Sequence, residues 1–405
     1  MKATYRSAIL FLVILCAISG GSNAQSTGTS IRQKRASTPR ADRGDDAGVQ
    51  SKTFTVSKGG SLEVTTSVGD VRIKPWDKNE VQVEVDGIDE EDLDRLKMTQ
   101  NGNSIRVSFR PKWGDYNDVR FEVSVPTQFD VNLKTSGGDL EITNALNGKI
   151  SGSTAGGDIK LKGNMGGRVD MSTSGGDVEA KSIQGDGNLK TSGGDIRVGA
   201  VNGELEVSTS GGNIDVEGVG KSLDARTSGG DITVGSVGGE ARVSTAGGDI
   251  KMGKVSGKAS MSTAGGNIEL KGASGNVNAK TAGGDIRIEN VTGSIDAKTA
   301  GGEVEAELIP SGKGSSRLVS SGGNIRLAIP ENAKVTIEAT IQIQDRWRRN
   351  KEKYKIRSND FKADSYEMSE DDEEIRATYK LNGGGETIYL ETVNADIEIK
   401  KLRGR

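Results

Sequence analysis

The chain has 405 residues with 58 glycines and only 6 prolines, and 54 basic against 57 acidic residues leave a net charge of −3. So much glycine without a collagen period points to many regularly placed tight turns, and so mild a charge predicts no nucleic-acid partner. Histidine is absent and Cys16 is the single cysteine, which excludes histidine-based general bases, Ser-His and Cys-His nucleophiles and Cys/His zinc sites, and leaves only carboxylates, Lys, Tyr and Ser for chemistry.

Residues 1–24 read as a secretory signal peptide. Lys2 and Arg6 give the positive start, residues 8–19 are apolar but too short to span a bilayer, and Ser22-Asn23-Ala24 offers small residues for cleavage. Cys16 lies inside the apolar run after Leu15, which argues against a lipoprotein site. The expectation is export to the periplasm, the outer cell surface or the medium, with no membrane span after cleavage. Residues 25–51 are polar and read as a flexible linker, whose basic half (Arg32, Lys34, Arg35, Arg40) is explained by solvation.

Residues 52–129 read as an N-terminal β module or cap. Residues 53–56, 61–64, 81–85 and 105–108 alternate apolar and polar positions as half-buried strands do. Residues 89–98 read as one short acidic helix with Leu93 and Leu96 facing inward.

Residues 130–309 are governed by a motif, Thr-(Ser/Ala)-Gly-Gly-(Asp/Asn)-(Ile/Leu/Val). It begins at Thr135 and recurs at Thr154, Thr173, Thr191, Thr209, Thr227, Thr245, Thr263 and Thr281, with a copy at Thr299 that carries Glu303 in the acid position. The first two steps are 19 residues and the rest 18, the mark of a solenoid. In the copy at Thr209, Leu205 and Val207, then Ile214 and Val216, alternate with polar residues, so each repeat holds two short strands and two turns. A period of two excludes a helix. The second turn carries glycine at Gly185, Gly203, Gly239, Gly257, Gly275 and Gly293, where a positive φ is expected.

Charge decides how the repeats stack. The outward residue between the two aliphatic columns runs Glu141, Lys160, Glu179, Arg197, Asp215, Thr233, Lys251, Glu269, Arg287, Glu305. Of the nine adjacent pairs seven are opposite in charge and none are alike, with Thr233 the one neutral entry, whereas entries two apart are mostly like-charged. Opposite charges across neighbouring strands stabilise and like charges destabilise, so one repeat makes one coil. The fold expected is all-β: a single parallel β-solenoid of about 18 residues and two short strands per coil, with β-rich N- and C-terminal caps.

Three features bear on chemistry. Asp139, Asp158, Asp177 and Asp195 would stack in adjacent coils. They suit turn capping, each accepting N–H bonds of its own turn as Asn213, Asn267 and Asn324 could also do. The competing reading is a cation ladder, since calcium takes oxygen ligands, but the Gly-Gly-x-Gly-x-Asp half-coil of calcium β-rolls is missing and no metal or other cofactor is assigned. The repeated Thr has inward parity and would form a stack of buried hydroxyls bonded along the column. Paired carboxylates could serve glycan cleavage, yet no aromatic platform occurs between Asp130 and Arg346, and no catalytic residue is assigned.

Residues 310–405 read as a C-terminal β region or cap, with strands at 335–339 and 340–343. Between these and the end, a basic run from Arg346 to Arg357 faces an acidic run from Glu367 to Glu374. The plain reading is a hairpin with attracting arms; the functional one is a partner-docking loop around Trp347 and Tyr354. Cap elements are expected in either case, because open coil ends expose strand edges.

These residues resemble the putative-adhesin family of bacterial exported proteins with β-strand repeats, a domain of unknown function. The resemblance rests on Ser61-Leu62-Glu63-Val64 with Gly69-Asp70-Val71, the Asp/Leu helix, the repeated Thr-Ser-Gly-Gly-Asp-Ile, and a close running from Gly383-Gly384-Gly385 through Ile397-Glu398-Ile399. Val68 and Ala395 stand where the family usually has glycine, which marks the terminal coils as degenerate caps. The resemblance implies surface adhesion. The function expected is thus a non-enzymatic exported scaffold that binds a cell-surface or envelope component, protein or glycan. The alternative is a carbohydrate-active β-helix enzyme using paired carboxylates.

Overall fold

Each repeat folds where its apolar residues alternate. Around Thr209, the strand Leu205–Ser208 buries Leu205 and Val207, and Ile214–Val219 buries Ile214, Val216 and Val219. The computed structural model describes residues 49–112, 118–312, 314–344, 354–369 and 373–402. The signal-peptide reading, the linker reading up to residue 48 and Trp347 lie outside the described residues.

The coils stack in register. Ile196 pairs with Ile214 and Ile214 with Ile232, while Leu205 pairs with Leu223 and Leu223 with Ala241, all parallel. The six-residue strands build sheet A, of 17 strands, and the four-residue strands build sheet B. At ~4.8 Å per strand, sheet A extends roughly 80 Å. One repeat is one coil, and the outward column that alternates in sign is a column of direct lateral neighbours: Glu179 beside Arg197, Arg197 beside Asp215. The alternation reaches into both caps, with Glu122 beside Arg72 and Arg72 beside Glu141 at one end, and Glu305 beside Arg326 and Arg326 beside Glu398 at the other.

The interior of the coils is aliphatic. Buried rings belong to the caps: Phe54, Phe109, Phe121 and Phe129 at one end and Tyr379 at the other. The extra residue in the repeat between Thr154 and Thr173 is absorbed by a register shift between Leu161 and Asn164, a bulge that leaves the aliphatic columns aligned.

Both caps depart from chain order. Gly60–Thr66 and Asp70–Trp76 form a coil directly on Phe129–Lys134 and Leu140–Ile142. Beyond it lies a coil made later in the chain, Ser104–Phe109 with Arg120–Pro126. Antiparallel strands then close the end: Lys97–Asn101 on sheet B, and Glu80–Asp86 followed by Gln50–Thr55 on sheet A. At the other end Glu386–Val393 and Ile397–Lys401 cover the coil of Ser316–Ser320 and Ile325–Ile329. Val335–Gln342 follows in parallel, and Glu374–Leu381 and Ser365–Met368 finish sheet B antiparallel.

Four local expectations are corrected. The acidic segment is a 3-10 helix of Glu90–Arg95, and Met98 belongs to the next strand. Asp92, which is buried, pairs with Arg95 at 2.7 Å, so a carboxylate occupies the inward position while Leu93 and Leu96 are only partly buried against the core. The strands read at 335–339 and 340–343 are one strand, because the alternation of burial continues unbroken through Val335–Gln342. The first strand begins at Gln50, inside the stretch read as linker, since its backbone pairs with Glu80–Asp86. The second-turn glycines do not take positive φ. They are glycine because the coils are close: a Cβ on Gly203 would stand 2.4 Å from the Gly185 carbonyl oxygen, and one on Gly293 2.2 Å from that of Gly275.

Candidate interaction surface

The motif turn is built from three linked devices. The threonine is buried, as its parity predicted, but its hydroxyl does not bond to the next threonine. Thr209 Oγ1 donates to the Gly194 carbonyl oxygen of the preceding coil at 2.9 Å and accepts from the Gly212 N–H at 3.3 Å. Every motif threonine from Thr135 to Thr299 makes the same donation, at 2.8–3.0 Å. The hydroxyl therefore ties each coil to the backbone of the coil before it, and satisfies a backbone carbonyl across the coil boundary.

The second device is the second glycine of the pair. A Cβ on Gly212 would stand 2.1 Å from the Gly194 carbonyl oxygen, whereas one on Gly211 would meet nothing nearer than 3.3 Å.

The third is the acid. Its side chain does not cap its own turn. Asp177 Oδ1 accepts the N–H of Asp195 in the next coil at 2.8 Å, Asp195 Oδ1 that of Asn213 at 2.8 Å, and Asn213 Oδ1 that of Asp231 at 2.9 Å. The ladder runs unbroken from Asp70 to Glu303, every bond between 2.7 and 2.9 Å. The four aspartates read as a possible cation ladder are therefore members of it. Their second oxygens face bases: Lys160 lies 2.9 Å from Asp158 and 3.6 Å from Asp139, and Arg197 lies 2.6 Å from Asp195 and 3.5 Å from Asp177. The Asp177 N–H first, and Lys160 second, hold the Asp158 carboxyl below its ordinary value. Among the described residues no cluster of His, Cys, Asp and Glu could hold a metal ion.

The outer face of sheet A is charged but self-neutralised. An open groove of about 610 Å³ is lined by Gly199 together with Lys181, Arg197, Glu179, Asp215 and Glu217. A glycan-cleaving pair needs one carboxyl raised enough to donate a proton. The carboxyls whose titration is shifted move the other way. Glu141 is lowered, its burial outweighed by Lys162 and Arg72, and Glu206 is lowered by Lys190.

The docking pair read at the C-terminal end is only partly in view. Tyr354 is half-buried against the core, and Trp347 lies outside the described residues. The large exposed side chains nearby are instead Tyr366, Met368 and Tyr389.

Sequence reasoning missed one row on sheet B. The residue before each motif threonine, from Lys134 to Lys298, is Lys, Arg or Ser in every copy, and never an acid. The register places these residues side by side on the outer face.

The architecture defines the class: a parallel β-solenoid of short two-strand coils. Antiparallel strands close both sheets at the N-terminal end and sheet B at the other, where sheet A ends in the short parallel strand Ile356–Arg357. The family model described as Toastrack DUF4097 matches residues 60–238 and again residues 220–400, and the chain belongs to that family, a domain of unknown function. Among solved structures the chain is similar to a putative cell adhesion protein from Clostridium sporogenes (8% identity, 88% of this chain and 100% of that one, TM-score 0.16). It is also similar to putative adhesins from Bacteroides fragilis (11%, 88% and 97%, TM-score 0.18) and Parabacteroides distasonis (13%, 88% and 98%, TM-score 0.22). No curated protein matches.

Proposed function

We propose that the protein is a non-enzymatic exported scaffold that adheres to a cell-surface or envelope component through the long faces of its solenoid. The observation that carries this reading is the unbroken register. Coil follows coil from Thr135 to Leu308 without an inserted loop, so each face repeats one surface about every 4.8 Å. Such a surface offers many equal weak contacts, which suits avidity along an extended partner. Among the described residues its groove of about 610 Å³ is open and lies along the regular coils, unlike the enclosed clefts that position substrate for chemistry. Export rests on the sequence of residues 1–24, and places the scaffold in the periplasm, on the outer surface or in the medium.

The test is incubation of the purified protein with an envelope extract, beside an array of glycans. Retention on envelope material with every glycan left intact is the expected result. Release of cleaved sugar would favour the paired-carboxylate enzyme, and failure to bind either material would contradict the adhesive reading.

A further inference from the structure

The two faces of the solenoid differ in how their charges are spent. On sheet A the outward column alternates in sign. On sheet B the row nearest the motif turn runs Lys97, Ser108, Thr65, Lys134, Ser153, Ser172, Lys190 and on through Arg226 to Lys280 and Lys298, each the direct lateral neighbour of the last. Hydroxyls separate the cations except at Lys280 and Lys298, and the row contains no acid. It ends where Val319 and then Glu391 follow Lys298.

Lys190 pairs with Glu206 at 2.9 Å and Arg226 with Asp224 at 2.5 Å, both carboxylates from the neighbouring row. Lys97, Lys134, Lys280 and Lys298 are exposed and, among the described residues, form no ion pair. Lys280 and Lys298 stand directly opposite each other on adjacent strands. Like charges so placed destabilise a sheet. Asp296, two residues before Lys298 on the same strand, accepts from Asn278 at 3.2 Å and, among the described residues, forms no ion pair with either lysine. Immediately beyond the row the turns begin with small residues, such as Ala282, Gly283, Ala300 and Gly301, ahead of the ladder acids Asp285 and Glu303.

Building on the adhesive reading, we infer that this row binds a linear acidic glycan lying along the solenoid axis, its carboxylates on the lysines and its hydroxyls on the serines and threonines. Lys97 and Lys134 are three strands apart, ~14 Å, too far for one small anion to bridge. The row as a whole extends roughly 58 Å, the reach of a polymer. Single-stranded nucleic acid would be the other polyanion, but its binding surfaces stack bases on aromatic rings, and no position in the row is aromatic.

The test uses the purified protein on immobilised polygalacturonate, with dextran as the neutral polymer and single-stranded DNA as the other polyanion. The variant carries Lys134→Gln, Lys280→Gln and Lys298→Gln. A control removes three lysines from sheet A by Lys181→Gln, Lys251→Gln and Lys254→Gln. The expected result is salt-sensitive retention on polygalacturonate that falls roughly tenfold in the sheet B variant and not in the control. The sheet B variant should melt at an unchanged or higher temperature, since it loses a repulsive pair.

Equal losses in both variants, no loss in either, or no retention of the unmodified protein would overturn the inference. So would dextran or DNA binding as tightly as polygalacturonate, or a lowered melting temperature in the sheet B variant. Envelope retention that persists in that variant would overturn the glycan row and leave the scaffold reading standing. Absence of envelope retention in the unmodified protein would contradict the scaffold reading itself.

Discussion

Gly211 and Gly212 are neighbours with the same side chain, yet only one of them has no room to grow. The second glycine of each motif faces the backbone of the preceding coil at 2.0–2.2 Å from a built Cβ, and the first does not. Gly212→Ala should therefore destabilise by about 1–3 kcal/mol through overpacking, and Gly211→Ala by less than about 0.5 kcal/mol. Chemical denaturation of the two variants checks this, and equal losses would contradict it. The acid ladder gives a second residue-scale prediction. Because the folded state depresses the Asp158 carboxyl, the stabilisation is fully present above the unfolded value of about 3.9. It is lost as pH falls through the folded value. Asp158→Asn keeps the Oδ1 acceptor, as Asn213 does naturally, but loses the attraction of Lys160. Its deficit against the unmodified protein should be largest near pH 7 and close on acidification. Asp158→Ala loses the acceptor as well and should cost about 1 kcal/mol more. Melting curves from neutral to acid pH decide, and a deficit that stays constant with pH would contradict the assignment. The motif showed which residues matter, since threonine, glycine and acid recur in fixed places. It did not show their partners in the next coil, because the threonine donation and the acid acceptance both cross between coils and end on backbone.

At the scale of the strand, hydrophobic alternation and sign alternation were both legible, and together they gave the stacking and its register. The ion pairs were less so. Lysine and arginine side chains reach diagonally: Lys160 and Arg197 contact the ladder aspartates, where the column scheme pointed to Glu141, Glu179 and Asp215. Both geometries make the same forecast for charge reversal. Lys160→Glu with Arg197→Glu places carboxylates beside those of Glu141, Glu179 and the ladder, and should cost about 1–2 kcal/mol. The melting temperature should fall, and fall less in high salt. An unchanged melt would contradict the scheme. The cation row of sheet B was present in the sequence as the residue before each threonine. It was passed over because polar outward residues carry no pattern of burial, and only the register shows that they share one line.

For the molecule as a whole, the array was legible and the caps were not. The period of 18 predicts neighbours only while chain order and spatial order agree. In the caps they part: Ser104–Phe109 precedes Gly60–Thr66 in space, and Val335–Gln342 lies beyond Glu386–Val393. The strands that finish the ends, antiparallel except for Ile356–Arg357 on sheet A, belong to no repeat, so nothing periodic announces them, although closing the sheet edges is what a stable solenoid requires. The central claim is that each repeat forms one coil lying on the next. Residues 25–405 contain no cysteine, so introduced pairs can trap register, given that disulfides require Cα atoms within about 7 Å. Ser244→Cys with Ser262→Cys joins direct neighbours, whereas Ser244→Cys with Lys280→Cys spans two strands, ~10 Å. With Cys16→Ser in both variants, mild oxidation should close the first pair and leave the second open. A disulfide that forms in the second pair and not in the first would mean two repeats per coil and would contradict the account.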